Sequence, residues 1–500
     1  MTSMPPADTS TTAVAGRAHD EGAVPARMWV VVLAACAGQF LVVLDVSVVN
    51  VALPSMRTAL GLDAAGLQWV VNAYTLSFAG CMLLGGRAAD VFGRKRMFLL
   101  GLALFTAASL LGGLAREPWH LLAARGLQGT GAAVLAPATL TILTTSFPPG
   151  RARTRAIATW SAVGAGGGAA GGLVGGVLTD ALSWRWVLLI NVPIGAVVLA
   201  AAALWVTEVR DRTAPRRLDV PGALLVTAGL VTLAWGIVQT ESAGWSSVAS
   251  LVPLGAGLAL LAVFVAVEAR TPMPLVPLRL FRRRAVSAAN AAIFVCGAAM
   301  FCMWYFMSLY MQNVLHYTPL QAGLGFIPQS LSIVCGAKIA PHLMVRLGSR
   351  NVVLAGVVVA GLGCLWQSAM HAGGGFLETV TGPGIMMAFG AGVASTPLSS
   401  VAMSGVRPGD AGLVSGLVNT SRTMGGSLGL AALSTLATAH IAGDGSPEAL
   451  ASGYALAFRT AACILVVCAA IVLFVLPRSE REEHGEDEQG EPASADAVAR

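Results

Sequence analysis

Leu44-Asp-Val-Ser-Val-Val-Asn-Val-Ala-Leu-Pro54 sets one carboxylate, Asp45, inside an apolar stretch that begins at Met28. A lone carboxylate at a helix centre in hydrocarbon costs about 2.5 to 3.5 kcal/mol, so chains that keep one use it for ions or protons. The stretch has many counterparts. Apolar runs of about 20 residues, enough to cross ~30 Å of hydrocarbon as a helix, recur as far as Leu476, each bounded by charge, Pro or Gly. Fourteen are expected, near 28–50, 67–86, 97–115, 118–142, 156–178, 184–206, 219–239, 249–269, 285–311, 319–343, 350–371, 377–401, 411–439 and 455–476. Composition agrees: 56% of the 500 residues are hydrophobic, 11% are charged, and mean hydropathy is +0.73. A soluble domain carries about 25% charged residues. An all-α membrane protein follows.

The first run is too long for a signal-peptide core and lacks a small-residue cleavage site after it, so it is expected to remain as the first helix. All eight cysteines (36, 81, 296, 302, 335, 364, 463, 468) fall within expected spans and read as packing residues, with no disulfide framework. Residues 1–27, rich in Thr, Ala and Ser, and the acidic tail 477–500 have the composition of disordered segments. The net charge is +6. Its bearers include Arg94, Lys95, Arg96, Arg151, Arg153, Arg155, Arg216, Arg217 and Arg282 to Arg284, all on the side of the N-terminus. Arg57, Arg116 and Arg185 lie toward the other side. This positive-inside pattern puts both termini in the cytoplasm. It orients the chain in a bilayer and does not recruit nucleic acid.

An internal repeat divides the spans. Pro149-Gly150 before helix 5 echoes Pro408-Gly409 before helix 13, and Gly131 and Pro137 echo Gly392 and Pro397. The basic turn Gly93-Arg94-Lys95-Arg96 echoes Arg346-Leu-Gly-Ser-Arg350 more weakly. Repeats of this kind mark transporter halves with the substrate site between them. Two six-helix halves, 28–206 and 285–476, are expected around an insertion at 207–284 that carries two more helices.

Several motifs, in order, carry a resemblance. They are Asp45 with its flanks, Gln68-Trp-Val-Val-Asn-Ala-Tyr-Thr-Leu76, Gly86-Arg-Ala-Ala-Asp-Val-Phe-Gly-Arg-Lys95 and Arg125-Gly-Leu-Gln-Gly-Thr-Gly-Ala-Ala133. Ser183-Trp-Arg-Trp-Val-Leu-Leu-Ile-Asn-Val-Pro-Ile-Gly195, Tyr310 to Gly323 and Asp410 to Arg422 follow. Together they cover nearly the whole membrane region, and the chain resembles the 14-helix drug:proton antiporters of the major facilitator superfamily, the multidrug exporters. The resemblance implies the major facilitator fold and proton-coupled efflux of a small lipophilic drug, antibiotic or self-made natural product. It implies a bacterial plasma-membrane protein that works as a monomer, with no cofactor beyond the proton gradient.

Residue by residue, it assigns proton coupling to Asp45 and Arg125. Depth arithmetic supports the pair: at 1.5 Å per residue, both sit roughly 10–12 Å below the outer surface. The guanidinium favours a charged carboxylate and desolvation a neutral one, so Asp45 can load a proton on one side and lose it on the other. Gly86, Asp90, Gly93 and Arg94 would form the cytoplasmic gating loop, the glycines allowing a tight turn. Ala88 and Val91 depart from the family's usual Leu and basic residue. Gly167, Gly171, Gly175 and Gly176 match the family's antiporter helix, although Gly172 replaces its proline, so no kink is enforced. Gln39, Asn72, Gln128, Trp304, Tyr305, Asn419 and Arg422 are the candidate lining of the substrate cavity.

Other classes find little support. Gly166-x-Gly168-x-x-Gly171 matches a dinucleotide fingerprint but lies within a membrane helix. The only lysines, Lys95 and Lys338, are not followed by Ser or Thr, so the chain holds no Walker A loop for ATP. No metal or nucleophile motif points to an enzyme. Transport of a small metabolite, siderophore or lipid by the same machinery stays open, as does a membrane sensor without net flux. With one deep carboxylate, dications are expected to be poor substrates.

Overall fold

A computed structural model describes residues 26–147, 151–206, 208, 219–272, 274–404, 406 and 411–476. The tail at 477–500, nearly all of 1–27 and most of the 207–218 linker lie outside them. Among these residues, besides a short 3-10 helix at Leu278–Arg282, the chain runs through fourteen longer helical segments: α1 (Ala26–Leu60), α2 (Ala64–Phe92), α3 (Arg94–Gly113), α4 (Pro118–Ser146), α5 (Arg151–Ala181), α6 (Trp186–Trp205, broken at Ile190), α7 (Val220–Ala243), α8 (Val248–Arg270), α9 (Arg284–Val314), α10 (Pro319–Leu347, broken at Phe326), α11 (Ser349–Gln367), α12 (Leu377–Met403), α13 (Ala411–Ile441) and α14 (Pro447–Phe474). Each overlaps one expected stretch. Twelve are long and apolar enough to cross a membrane; α5, bent by 40° near Ala169, makes a thirteenth. The expected fourteen are therefore not all reached by length and apolarity. Helix α13, which carries Ser, Thr, Asn and Arg along its length, is outside that set.

Local chemistry sets the helix starts. Asp63 accepts from Gly66 N (2.7 Å) at α2, Asp219 from Gly222 N at α7, and Ser446 from Ala449 N at α14. Thr318 and Gln321 close a capping box at α10. Each cap satisfies a backbone N–H that the first helical turn leaves unpaired. Between α2 and α3 the chain turns on one residue, Gly93, at φ +108°, where a side chain would be strained.

Helix α1 starts, and α14 ends, on one face of the bundle. Arg284 at the start of α9 donates to Val475 O (3.1 Å), and Arg350 at the start of α11 donates to Val472 O (3.1 Å), so these ends share that face. We call it the terminal face and the opposite one the far face. The repeat is visible in packing. A Cβ on Gly101 of α3 would lie 2.7 Å from Leu135 N of α4, and one on Gly356 of α11 would lie 2.7 Å from Ala394 N of α12. Helices α7 and α8 pack on each other, and α7 lies against α2 and α13, with Trp69 and Trp235 ring centroids 5.9 Å apart. Leu251, Val252, Leu258 and Val263 of α8 are exposed, as a lipid-facing helix requires.

The two halves close on each other near the far face. Ser308 Oγ donates to Asn50 O (2.7 Å) and Gln312 Nε2 to Val51 O (2.9 Å), tying α9 to α1. Beside them, a Cβ on Gly176 of α5 would lie 2.6 Å from Pro319 O of α10, and one on Gly323 would overlap Gly172 O. The halves also meet along α2 and α13, where Ser427 Oγ donates to Thr75 Oγ1 (2.6 Å).

Candidate functional site

Arg125 and Gln128 are three residues apart on α4, so their side chains share a face. That face turns toward α1, α3 and α6. Asp45 of α1 meets it with both oxygens. Arg125 Nη1 donates to Asp45 Oδ2 (2.6 Å), while Gln128 Nε2 and Asn191 Nδ2 of α6 donate to Oδ1 (2.7 and 3.0 Å). Both amides also donate to Ser109 Oγ of α3 (2.6 and 3.1 Å). Arg125 donates further, from Nε to Val70 O (3.0 Å) and from Nη1 to Gln128 Oε1 (2.7 Å). Its guanidinium carbon lies 4.4 Å from the ring centroid of Tyr74, a cation–π contact. None of the five polar side chains is more than 2% exposed. The site is a dry ion pair set in a cage of amides and one hydroxyl.

Helix α1 runs on to Leu60, which puts Asp45 fifteen residues, or about 22 Å, from its far end. Arg125 is seven residues, or about 10 Å, from the start of α4. The two do not sit at equal depth below their helix ends, as simple arithmetic from the apolar runs had them. They meet because α1 projects past the start of α4.

The glycines of α5 divide between two neighbours. A Cβ on Gly175 would lie 2.8 Å from Val48 O of α1, one on Gly167 would lie 3.2 Å from Phe40 O, and one on Gly171 would overlap Ser47. Gly172 and Gly176 face α10 of the other half. Ser47 Oγ, two residues from Asp45, donates to Gly168 O (2.9 Å) at the bend of α5. The glycines thus allow the bend without proline, since a helix with so little side-chain bulk yields easily.

The sequence model of the Major Facilitator Superfamily matches residues 35–430. The chain belongs to the major facilitator superfamily. It is 48% identical over 450 residues to the cephamycin export protein of Amycolatopsis lactamdurans, covering 89% of this chain and 92% of that one. It is 37% identical over 496 residues to a puromycin resistance protein of Streptomyces alboniger, covering 96% and 97%. Its fold matches the crystal structure of a bacterial homologue of the human lysosomal transporter Spinster, with a TM-score of 0.64 at 19% identity, covering 91% and 98%. Fold and relatives are those of membrane transporters, not enzymes.

Within this superfamily fold, several residues expected elsewhere take new places. Gly86 lies inside α2, and a Cβ there would make an ordinary 3.6 Å contact with Pro137, so it is not part of a turn; Gly93 alone is. Arg94 opens α3, and the Asp90 side chain lies outside the described residues. The loop has a member that the sequence did not suggest. Glu208 beyond α6 accepts from Lys95 N and Arg96 N (3.2 Å each), capping α3 beside Gly93. A carboxylate there suits the positive end of the helix.

The expected cavity lining also splits. Gln128 belongs to the Asp45 cage. Tyr305 is buried against Phe306 (5.2 Å between centroids) in the packed core. Asn72 is fully buried too. It and Gln68, one turn away, have no side-chain partner among the described residues. Both share the face of Thr75 at the α2–α13 seam, where parting of the halves would wet them. Trp304 is half-buried against Phe326 (5.0 Å), and Gln39 and Asn419 are partly exposed. Arg422 is exposed. Ser109, Asn191 and Tyr74 had no role in the sequence reading. Asn191 could have been singled out, since it is an amide within the apolar run Val187 to Val198.

Proposed function

We propose that this protein is a proton-coupled antiporter that exports a lipophilic antibiotic or self-made natural product across the bacterial plasma membrane by alternating access. The relatives named for cephamycin export and puromycin resistance support the direction and the substrate class. The observation that carries proton coupling is the construction of the Asp45 cage. With Asp45 ionised, Arg125 is neutralised across a 2.6 Å bond. A proton on Oδ2 removes that countercharge, yet Arg125 keeps Val70 O, Gln128 Oε1 and the Tyr74 ring, and Oδ1 keeps two amide donors. The attraction between α1 and α4 is therefore switched off while Arg125 and Oδ1 keep hydrogen-bond partners, and the guanidinium left without its countercharge favours a rearrangement that lets Asp45 release the proton.

Helix α1 carries the signal. Asn50 and Val51, whose carbonyls tie the halves together near the far face, follow Asp45 by five and six residues, about 8 to 9 Å along the helix. The terminal face holds Lys95, Arg96, Arg284 and Arg350, which supports a cytoplasmic position for it and for both termini. The far-face contacts then close the outer end. One polypeptide supplies both walls of the cleft, which supports a monomer as the working unit.

The test uses inverted membrane vesicles energised to hold a proton gradient, to which antibiotics and dyes are added one at a time. Antiport predicts that some compounds discharge the gradient in vesicles with this protein and not in vesicles without it. If none does, while a metabolite moves inward in uptake assays, the export reading fails.

A further inference from the structure

Arg422 stands apart from the proton site and has no task in it. It lies eleven residues after Ala411 on α13, about 16 Å along the helix from the terminal face. An arginine side chain reaches roughly 7 Å, so it cannot snorkel to that face. Among the described residues it has no hydrogen-bond or ion-pair partner, whereas Arg125 is neutralised by Asp45. Ionisable groups held at this depth are kept for function by default.

The packing of α13 shows where the guanidinium faces. Gly416 and Ser427 meet Leu83 and Thr75 of α2, and Met424 and Leu428 pack against the cluster of Leu76 with Leu230 and Ala234 of α7. Gly425 and Gly429 fit against Phe294 and Ala298 of α9. At about 100° per residue, these contacts leave one sector of the helix open. That sector holds Ser415, Asn419 and Thr423, with Arg422 at its edge beside α9, all polar and none buried. It looks away from α7 and its lipid-side partner α8, into the cleft between the halves. Phe301 covers the same sector at Gly426, one turn farther toward the far face, so the polar patch has an apolar roof. The orientation is locked, because a Cβ on Gly297 of α9 would already lie 2.6 Å from Arg422 O and the helix has no room to turn. Asn419 and Thr423 spend their donors on their own helix, on Ser415 O and Asn419 O. The guanidinium, with the Cys296 thiol of α9 as its electrostatic neighbour, has no hydrogen-bond partner among the described residues and is the donor group the patch can offer a ligand.

We propose that Arg422 binds a negatively charged group, a carboxylate or its equivalent, on the exported compound. This rests on the export reading and names its substrate class. The planar fork of arginine presents two parallel N–H groups that match a carboxylate. Phe301 and the half-buried Met300 and Trp304 on α9 offer apolar surface for the rest of the molecule. Among the described residues no carboxylate deep in a span stands free to repel an anion, since Asp45 is enclosed by its cage. An inside-negative membrane potential would itself help to drive such a substrate out.

The experiment measures equilibrium binding to the purified full chain in detergent, by tryptophan fluorescence, for the cephamycin carboxylate cefoxitin and its methyl ester. Wild type, Arg422→Lys and Arg422→Gln are compared after each is shown to elute as a single folded species. One charge-assisted bidentate contact predicts that wild type binds the acid about thirtyfold more tightly than the ester. The ratio should stay near tenfold in R422K, which keeps the charge, and fall below threefold in R422Q. An equal affinity for acid and ester in wild type, or an acid preference that survives in R422Q, overturns the inference. The export reading is scored separately by the same compounds in proteoliposomes. Arg422-dependent binding of the acid without movement would sink export and leave the anion site standing. Export of neutral or cationic compounds with no binding of the acid would do the reverse.

Discussion

Replacing Asp45 with Asn keeps the shape of the side chain and removes its charge. The amide oxygen can take the place of Oδ1 and go on accepting from Gln128 and Asn191 (2.7 and 3.0 Å). Its NH2 then faces Arg125 Nη1, which donated across 2.6 Å, so donor meets donor. Removing one partner of a buried pair costs about 3–5 kcal/mol. Here Arg125 retains Val70 O, Gln128 Oε1 and a cation–π contact at 4.4 Å, the last contributing about 0.5–2 kcal/mol. A net loss of about 2–3 kcal/mol is expected for Asp45→Asn. Arg125→Gln should cost at least as much, because it strands the carboxylate. The double variant should cost little more than either single one, giving a coupling of about 2–3 kcal/mol. SDS unfolding in mixed micelles measures the cycle. In proteoliposomes D45N should lose substrate-driven proton release and keep substrate counterflow at zero gradient, because counterflow needs no net proton transfer. Wild-type proton release in D45N, or additivity within about 0.5 kcal/mol, would refute the reasoning.

Other outcomes follow from single contacts. Gly323→Val should hinder closure of the far face, since even a Cβ there overlaps Gly172 O; reduced transport and faster labelling of a cysteine placed at Gln312 would show it. Gly86→Ala should be tolerated or stabilise α2 by about 0.5–1 kcal/mol, while Gly93→Ala, strained at φ +108° and 2.6 Å from Glu208 Oε1, should lower the yield of folded protein. Asn191→Leu removes a donor to both Asp45 and Ser109 from a fully buried position. It should cost about 1–3 kcal/mol and slow substrate-driven proton release, with Asn191→Gln restoring part of it.

The membrane class, the repeat and the identity of the charged pair could be read from residues alone, and the physical reason is cost. Bilayer thickness imposes a run length on each span, and a charge inside such a run is too expensive to be incidental. Asp45 and Arg125 stand out for that reason. Ser109, Asn191 and Tyr74 do not, because hydroxyl, amide and phenol groups are affordable within a helix and become meaningful only when another helix brings them to a carboxylate. Glu208 was hidden in the same way. As a charge just past a helix end it looks ordinary, and only the return of the chain to α3 makes it a cap.

Depth and direction are also properties of the assembled bundle. Run lengths put Asp45 and Arg125 level below their helix ends, but α1 extends past the start of α4, and helix ends do not share a plane. Helical spacing placed Asn72, Tyr305 and Arg422 within apolar runs without saying which way each looks. Packing sends Asn72 into the α2–α13 seam, Tyr305 into the core and Arg422 into the cleft. Sequence by itself thus determined that the chain lives in a membrane, in two related halves, and keeps one paired carboxylate there. The tertiary structure decided what surrounds that carboxylate and which way each polar side chain faces, because a helix sets the angle between its own residues and only its neighbours set where that angle points.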